Sequence, residues 1–106
     1  MASELTPEQA RRLRGQILML LCARHNTQGH RLDDVAVAHA LQSLAFEVSI
    51  QDVVTILQDL ADRRYVRFQP RRNMLTRRVY LEKIELTAAG RDQVEENVST
   101  DPAVEF

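Results

Sequence analysis

Apolar residues recur at helical spacing near the start of the chain, which predicts a first helix from Pro7 to about Arg24. The preceding LTPEQA is typical of a helix start: Thr6 is the N-cap, Pro7 the first helical residue, and Gln9 follows the cap by three positions. The predicted buried stripe consists of Ala10, Leu13, Ile17, Leu20 and Leu21. Residues 26–29 then form a turn-rich break.

The segment RLDDVAVAHALQSLAF predicts a second helix that begins at Asp33. Its small side chains, mostly alanine, allow close packing against neighbouring elements. The predicted buried side consists of Val35, Ala38, Leu41, Leu44 and Ala45.

A third helix is predicted after Ser49, which forms an S-x-x-D capping box with Asp52. The helix should end near Arg64. Its inward stripe is predicted to contain Ile50, Val53, Val54, Leu57, Leu60 and Ala61.

Period-two alternation replaces the helical pattern at YVRFQ, where Val66 and Phe68 alternate with polar residues, as in a half-buried strand that Pro70 should end. RRVYLEKIEL predicts a return strand. Its alternation changes phase between Leu81 and Ile84, which indicates a bulge or burial on both sides.

Thr87 is the predicted N-cap of a last helix, AAGRDQVEENV. The remainder, STDPAVEF, is polar and is expected to be a flexible tail over residues 98–106. With 106 residues and 44% apolar content, the chain predicts a single domain over residues 1–97. The predicted fold class is α+β, mostly α.

Charge adds the strongest functional signal. Between Arg63 and Arg78 the chain has seven arginines and no carboxylate, although its net charge is only -1. Arginine forks suit phosphate oxygens, so a local basic loop indicates an anionic partner, with nucleic acid the first candidate. The chain has thirteen arginines and one lysine, Lys83. An arginine-rich genome would produce the same excess of arginine over lysine.

The order of helix, helix, helix, strand, basic loop, strand and helix is that of a winged helix-turn-helix domain. ILQDLADRRYVRF resembles the third helix running into the first wing strand of that superfamily, and IELTAAGRDQVEE resembles its junction of second wing strand and last helix. The resemblance, to small domains of the MarR and PadR type, covers residues 7 to 97. It departs from the pattern at Arg64, where the family usually has glycine. A fainter similarity links the second and third helices to short proteins of Mu-like bacteriophages.

The resemblance implies a transcriptional regulator of bacterial or phage origin that binds double-stranded DNA, largely through its arginine-rich wing, and a homodimer formed by the first and last helices. The run ILMLLC supports a dimer if one chain cannot bury it, or else belongs to the monomer core. The predicted DNA-binding residues are Arg67, Arg71, Arg72, Arg77 and Arg78 of the wing, and Gln51, Thr55, Gln58 and Arg63 of the third helix.

The third helix complicates this prediction, because Asp52, Asp59 and Asp62 should lie on its outward face and repel phosphate. One alternative is an ordinary solvated face. Another is a protein-interaction module whose acidic helix binds a protein, such as the basic wing of a second copy. The wing tip adds Met74 and Leu75, which suit a wedge or a loop folded back on itself.

Other classes of function have little support in the sequence. Phosphate-binding loops, nucleophile motifs and paired catalytic carboxylates are missing, so no enzyme is predicted. Cys22 and the three histidines have no zinc-ligand spacing, and no cofactor or metal site is predicted. No apolar stretch approaches the roughly 18 residues of a membrane span, so a soluble cytoplasmic protein is expected.

Overall fold

The computed structural model describes residues 5–25, 32–96, 98–99 and 101–106, apart from the side chains of residues 24 and 25. The predicted break at residues 26–29 lies outside this part. The elements are α1 (Pro7–His25), α2 (Asp34–Ser43), α3 (Ile50–Asp62), β1 (Val66–Arg72), β2 (Val79–Leu86) and α4 (Ala88–Val94). The two strands form an antiparallel hairpin, so the chain is a mostly helical α+β domain.

The predicted helix caps are confirmed. Thr6 and Gln9 exchange side-chain hydrogen bonds with each other's backbone at the start of α1. Ser49 and Asp52 form the reciprocal capping box of α3. Thr87 accepts a hydrogen bond from the Gly90 amide at the start of α4. Such caps satisfy amides that have no partner within the helix, and for this reason short sequence motifs identify them.

The core lies between α1, α2, α3 and the inner face of the hairpin. Ile17, Leu18 and Leu21 of the ILMLLC run are buried in it, and Leu20 and Cys22 are half-buried. Met19 is the large exposed residue of that run. The buried residues of this run lie in the core of a single chain. They give no evidence for a homodimer, which stays a prediction. The largest apolar side chains with full burial are Ile17, Leu18, Leu41, Leu57, Leu60, Leu81, Val37 and Val53.

The predicted buried side of α2 is wrong at its C-terminal end. Leu44 and Ala45 are exposed, since the helix ends at Ser43 and the backbone reverses at Ala45 with a φ of 68°. Asp34 and Val37 are buried in their place. The stripe is therefore shifted around the helix axis from the one that the sequence indicates.

The hairpin differs from the prediction at Pro70 and agrees with it at the bulge. β1 continues through Pro70, which pairs with Leu81, to Arg72. Between Arg67 and Gln69 the register slips by one residue on β2, where Lys83 has a φ of 52°. This is the expected signature of a bulge, and it explains the phase change in the sequence. Just before α2, Leu32 forms an isolated antiparallel bridge with Ile84.

Arg64 has the left-handed φ of 67°, which glycine adopts without strain. The turn from α3 into β1 thus keeps a glycine-like backbone although the sequence has arginine there. Its amide donates to the carbonyl of Ala61, and the next amide, of Tyr65, donates to Leu60.

The C-terminal segment differs from the flexible tail predicted from residue 98. Val104 is only 3% exposed and belongs to the core. The Glu105 amide donates to the Arg11 carbonyl, and Gly15 lies directly against the Glu105 carbonyl. A β-carbon on Gly15 would collide with that backbone, so residues 101–106 are closely packed on α1.

Candidate nucleic-acid interface

The hairpin presents two faces with different chemistry. In the register, Arg67 faces Glu85 and Arg71 faces Tyr80, and these residues lie on the outer side. Side chains alternate along a strand, so Arg72 lies on the other side, in line with Val66 and Pro70. The wing arginines therefore do not form one continuous basic surface.

Two of the predicted DNA contacts are already neutralised on the outer face. Arg67 Nη2 lies 2.8 Å from Glu85 Oε2, and Arg71 Nε lies 2.6 Å from Glu82 Oε1. Both pairs are partly exposed, and exposed pairs contribute little to stability, typically about 0–1 kcal/mol. A phosphate can compete for these arginines, but the carboxylates beside them would oppose it.

Arg78 has a structural role that the sequence did not reveal. Its Nη2 donates to Asp34 Oδ2 over 2.7 Å, and the Leu81 amide donates to the same oxygen over 3.3 Å. Asp34 is only 1% exposed. A buried carboxylate requires such partners, so Arg78 joins the loop end of the hairpin to the first turn of α2.

Arg63 is also engaged, at the C-terminal end of α3. Its Nε lies 3.0 Å from Asp59 Oδ2, and its Nη1 lies 3.5 Å from Asp101 Oδ2. Arg14 of α1 lies 2.6 Å from the same oxygen of Asp59. Burial would raise the pKa of Asp59, but the hydrogen bonds from Arg63 and Arg14 outweigh it and lower that pKa. Arg63 therefore ties the end of α3 to the C-terminal segment, while Arg14 ties α1 to α3 through Asp59.

The C-terminal segment closes this network through Tyr65. Its hydroxyl donates to Asp101 Oδ2 over 2.7 Å. This bond, together with the Ala103 amide, lowers the pKa of Asp101. Burial and the same bond raise the pKa of Tyr65 to about 12.

Arg72 and Arg77 are the wing arginines that differ from the rest. Both are exposed, and within the described part of the chain neither side chain has a hydrogen bond or an ion pair. Arg64, at the other end of the hairpin, is exposed and unpaired on the same terms. A ligand could therefore bind three of the seven clustered arginines, Arg64, Arg72 and Arg77, without breaking a contact among the described residues.

The loop between Arg72 and Arg77 is an ordered turn built on Asn73. The Asn73 side-chain oxygen accepts from the amides of Leu75 and Thr76, at 2.9 and 3.1 Å. The Asn73 amide donates to the Arg78 carbonyl, and the Arg77 amide donates to the Asn73 carbonyl. The loop directs its apolar residues outward: Met74 is 88% exposed and Leu75 94%.

The outward face of α3 is less acidic than predicted. The prediction that Asp52 lies on the surface is wrong. Asp52 is only 8% exposed, because its carboxylate accepts a hydrogen bond from the Ser49 amide in the capping box. Asp59 is bound by two arginines. Gln51, Thr55 and Gln58 are exposed as predicted.

Asp62 is the acidic residue that remains free on this face, among the described residues. The stripe is thus Gln51, Thr55, Gln58 and Asp62, at spacings of four, three and four residues, which keep it on one side of a helix. Amide and hydroxyl side chains of this kind read base edges in the major groove.

Other sites are sparse in the described part of the chain. A cavity of about 440 Å³ lies between the N-terminal half of α1 and the turn from α2 to α3. Its lining is mixed, with Leu13, Leu44 and Phe46 beside Arg12 and Glu47. Among the described residues there is no group of three or more metal-ligating side chains. None of their helices has the length and apolarity to cross a membrane.

Two features of the site are not apparent from the sequence. Asp34 follows Asp33, and the pair looks like helix-cap and surface charge, yet only Asp33 caps α2 while Asp34 is buried. The adjacent pair itself was the sequence signal. A helix cap uses one carboxylate, so the second aspartate required another explanation. The docking of Asp101 had no comparable signal, since it depends on Tyr65, which lies 36 residues away.

Comparison with known proteins adds no assignment. No protein-family model matches the chain. No curated protein has a significantly similar sequence.

Proposed function

We propose that this chain is a winged helix-turn-helix protein that binds duplex DNA, as a transcriptional regulator or in a related bacterial or phage process. The element order supports the fold: three helices, a hairpin and a last helix. The glycine-like backbone of Arg64 supports it too, since it preserves the turn at the one position where the sequence departs from the superfamily pattern.

The DNA-binding proposal rests on one observation. Two of the three aspartates predicted on the outward face of α3 are engaged in contacts within the protein. With Asp52 in its capping box and Asp59 held by arginines, the outward stripe is left with three neutral polar side chains and one carboxylate. The repulsion that the sequence predicted is largely absent. Such a helix suits a major groove, where neutral donors and acceptors meet base edges.

The wing supplies the phosphate contacts in this proposal. Arg72 and Arg77 make the main contacts, because neither has a competing carboxylate among the described residues. Arg67 and Arg71 contribute less, since each must share its charge with a glutamate. Arg78 and Arg63 hold the scaffold and are removed from the primary contacts predicted from the sequence.

A protein-interaction module is the second candidate, and the apolar wing tip is the observation that favours it. Two large side chains as exposed as Met74 and Leu75 fit a hydrophobic pocket on a protein partner. In that case replacing both would abolish assembly and leave any DNA affinity unchanged.

The test is a fluorescence-anisotropy titration of a labelled random-sequence duplex with the full chain. At about 50 mM salt the protein should bind, and its affinity should fall steeply towards about 200 mM. Absence of binding at the lower salt concentration would refute the proposal, because phosphate contacts are strongest there.

A further inference from the structure

The tip of the wing combines two features that rarely occur together on a surface. Met74 and Leu75 are almost fully exposed. Their turn is nonetheless well ordered, since the Asn73 side chain accepts two successive backbone amides. The loop thus projects apolar side chains into solvent and does not fold them back onto the hairpin.

Uncompensated cations stand on both sides of this apolar pair. Arg72 precedes it at the end of β1, and Arg77 follows it in the loop. The neighbouring arginines, Arg71 and Arg78, are bound to carboxylates. A complementary surface is therefore apolar in the middle and anionic at both edges.

Duplex DNA offers such a surface where a base step opens towards the minor groove. Phosphates line both edges of the groove, its floor of base edges is polar, and the faces of the separated bases supply the apolar contact. The groove is about 6 Å wide, whereas the axes of two hairpin strands are already about 4.8 Å apart before side chains are counted, so the strands stay outside it. A two-residue tip reaches the groove floor where a broader element would not. Apolar side chains that enter it separate stacked bases and kink the duplex by about 20–90° towards the major groove.

We propose that Met74 and Leu75 form an apolar wedge that enters the minor groove of bound DNA, unstacks a base step and bends the duplex. This inference rests on the proposed DNA binding. Arg72 and Arg77 then contact the phosphates on either side of the kink, and α3 occupies an adjacent major groove.

An anionic membrane also combines apolar and negative layers, but the tip is too small to anchor there. The tip offers two apolar side chains and two arginines that are unpaired among the described residues, whereas a basic cluster that binds anionic lipid has about four to eight Lys or Arg. Stable membrane binding usually needs two such signals of larger size. In DNA binding the tip needs to supply only part of the affinity.

The experiment measures bending and unstacking separately from binding. A duplex of about 30 base pairs carries a fluorescence energy-transfer pair at its ends, and a second duplex carries 2-aminopurine within the bound region. Wild-type protein should raise both the energy transfer and the 2-aminopurine fluorescence. Met74→Ser/Leu75→Ser should bind within about tenfold of wild type, because the lost contacts are offset by the unstacking that no longer occurs, and should give neither signal.

Leu44→Ser provides the matched control, since Leu44 is an exposed leucine in the turn after α2, outside the hairpin and outside the helices of the predicted dimer. It should bend DNA like the wild type. Leu75→Ser alone provides a milder variant and should reduce both signals in part. Circular dichroism checks that each variant is folded.

The outcomes separate the wedge from the proposed function. If wild-type protein binds the duplex without bending or unstacking it, the wedge is wrong and DNA binding stands. If it binds no duplex, both fail. If the double variant bends DNA like the wild type, or if the tip residues instead drive binding to vesicles of phosphatidylcholine and phosphatidylserine, the wedge is also overturned.

Discussion

Arg78 donates to the buried carboxylate of Asp34 across 2.7 Å, and this bond joins the wing to the first turn of α2. The relationship changes the meaning of the arginine cluster. Its members divide into residues that hold the fold together and residues that remain free to bind. The aspartates of α3 divide in the same way. Among the described residues, the unpaired arginines and the unpaired aspartate together determine which charges face a ligand.

Arg78→Ala should lower stability, because it leaves the Asp34 carboxylate buried without its cation. We expect a loss of about 1–3 kcal/mol in the free energy of unfolding, measured by urea denaturation. Arg77→Ala is the matched control and should change stability by no more than about 0.5 kcal/mol, since Arg77 is exposed and lacks a partner in the described residues. Equal effects of the two substitutions would show that the Asp34 contact has no structural importance.

Removing the glutamates of the outer hairpin face should strengthen DNA binding. Glu82→Gln/Glu85→Gln releases Arg71 and Arg67 for phosphate contacts. The slope of log affinity against log salt should steepen by up to about 0.9 for each released arginine. Glu8→Gln/Glu105→Gln makes the same change in net charge at exposed positions outside the hairpin and α3. A gain of the same size in that control would mean that net charge, and not the release of the arginines, is responsible.

Asp62 and Asp59 should respond differently to neutralisation. Asp62→Asn removes the free carboxylate of the α3 stripe, so it should leave stability unchanged and tighten DNA binding by up to about fivefold, or roughly 1 kcal/mol. Asp59→Asn removes the bonds to Arg14 and Arg63 and should lower stability. Anisotropy titrations and urea denaturation measure the two effects. DNA affinity that is unchanged by Asp62→Asn would indicate that α3 faces away from DNA.

Stability should fall in acid partly through Asp101. Its pKa is lowered in the folded protein by the Tyr65 hydroxyl and the Ala103 amide, from an ordinary value of 3.8. The stabilisation is therefore present above pH 3.8 and is lost as the pH falls through the lower folded pKa. Asp101→Asn should be less stable than wild type at neutral pH and lose less stability on acidification. Urea denaturation across this range tests it, and parallel pH profiles for the two proteins would contradict it.

Local chemistry explains what the sequence predicts correctly. Caps such as Ser49 with Asp52 involve residues three positions apart, and the bulge near Lys83 follows from alternation within one strand. Both signals lie within a few residues of the feature they produce.

The candidate site was harder to predict because its electrostatics depend on distant pairs. Asp34 and Arg78 are 44 residues apart, and Arg14 and Asp59 are 45 apart. The sequence shows which arginines belong to the cluster. It does not show which of them lack an ion-pair partner. Packing of Val104 into the core depends on similar long-range contact, which the polar composition of the tail conceals.

The central claim is that Arg72 and Arg77 make the principal phosphate contacts of a DNA-binding wing. Its most direct test compares the salt dependence of duplex binding for wild type and Arg72→Ala/Arg77→Ala between about 50 and 200 mM salt. We predict that the variant stays folded, binds more weakly and has a log-log slope shallower by about two, at about 0.9 for each lost phosphate contact. An unchanged slope would contradict the account, as would affinity of the wild type that does not depend on salt.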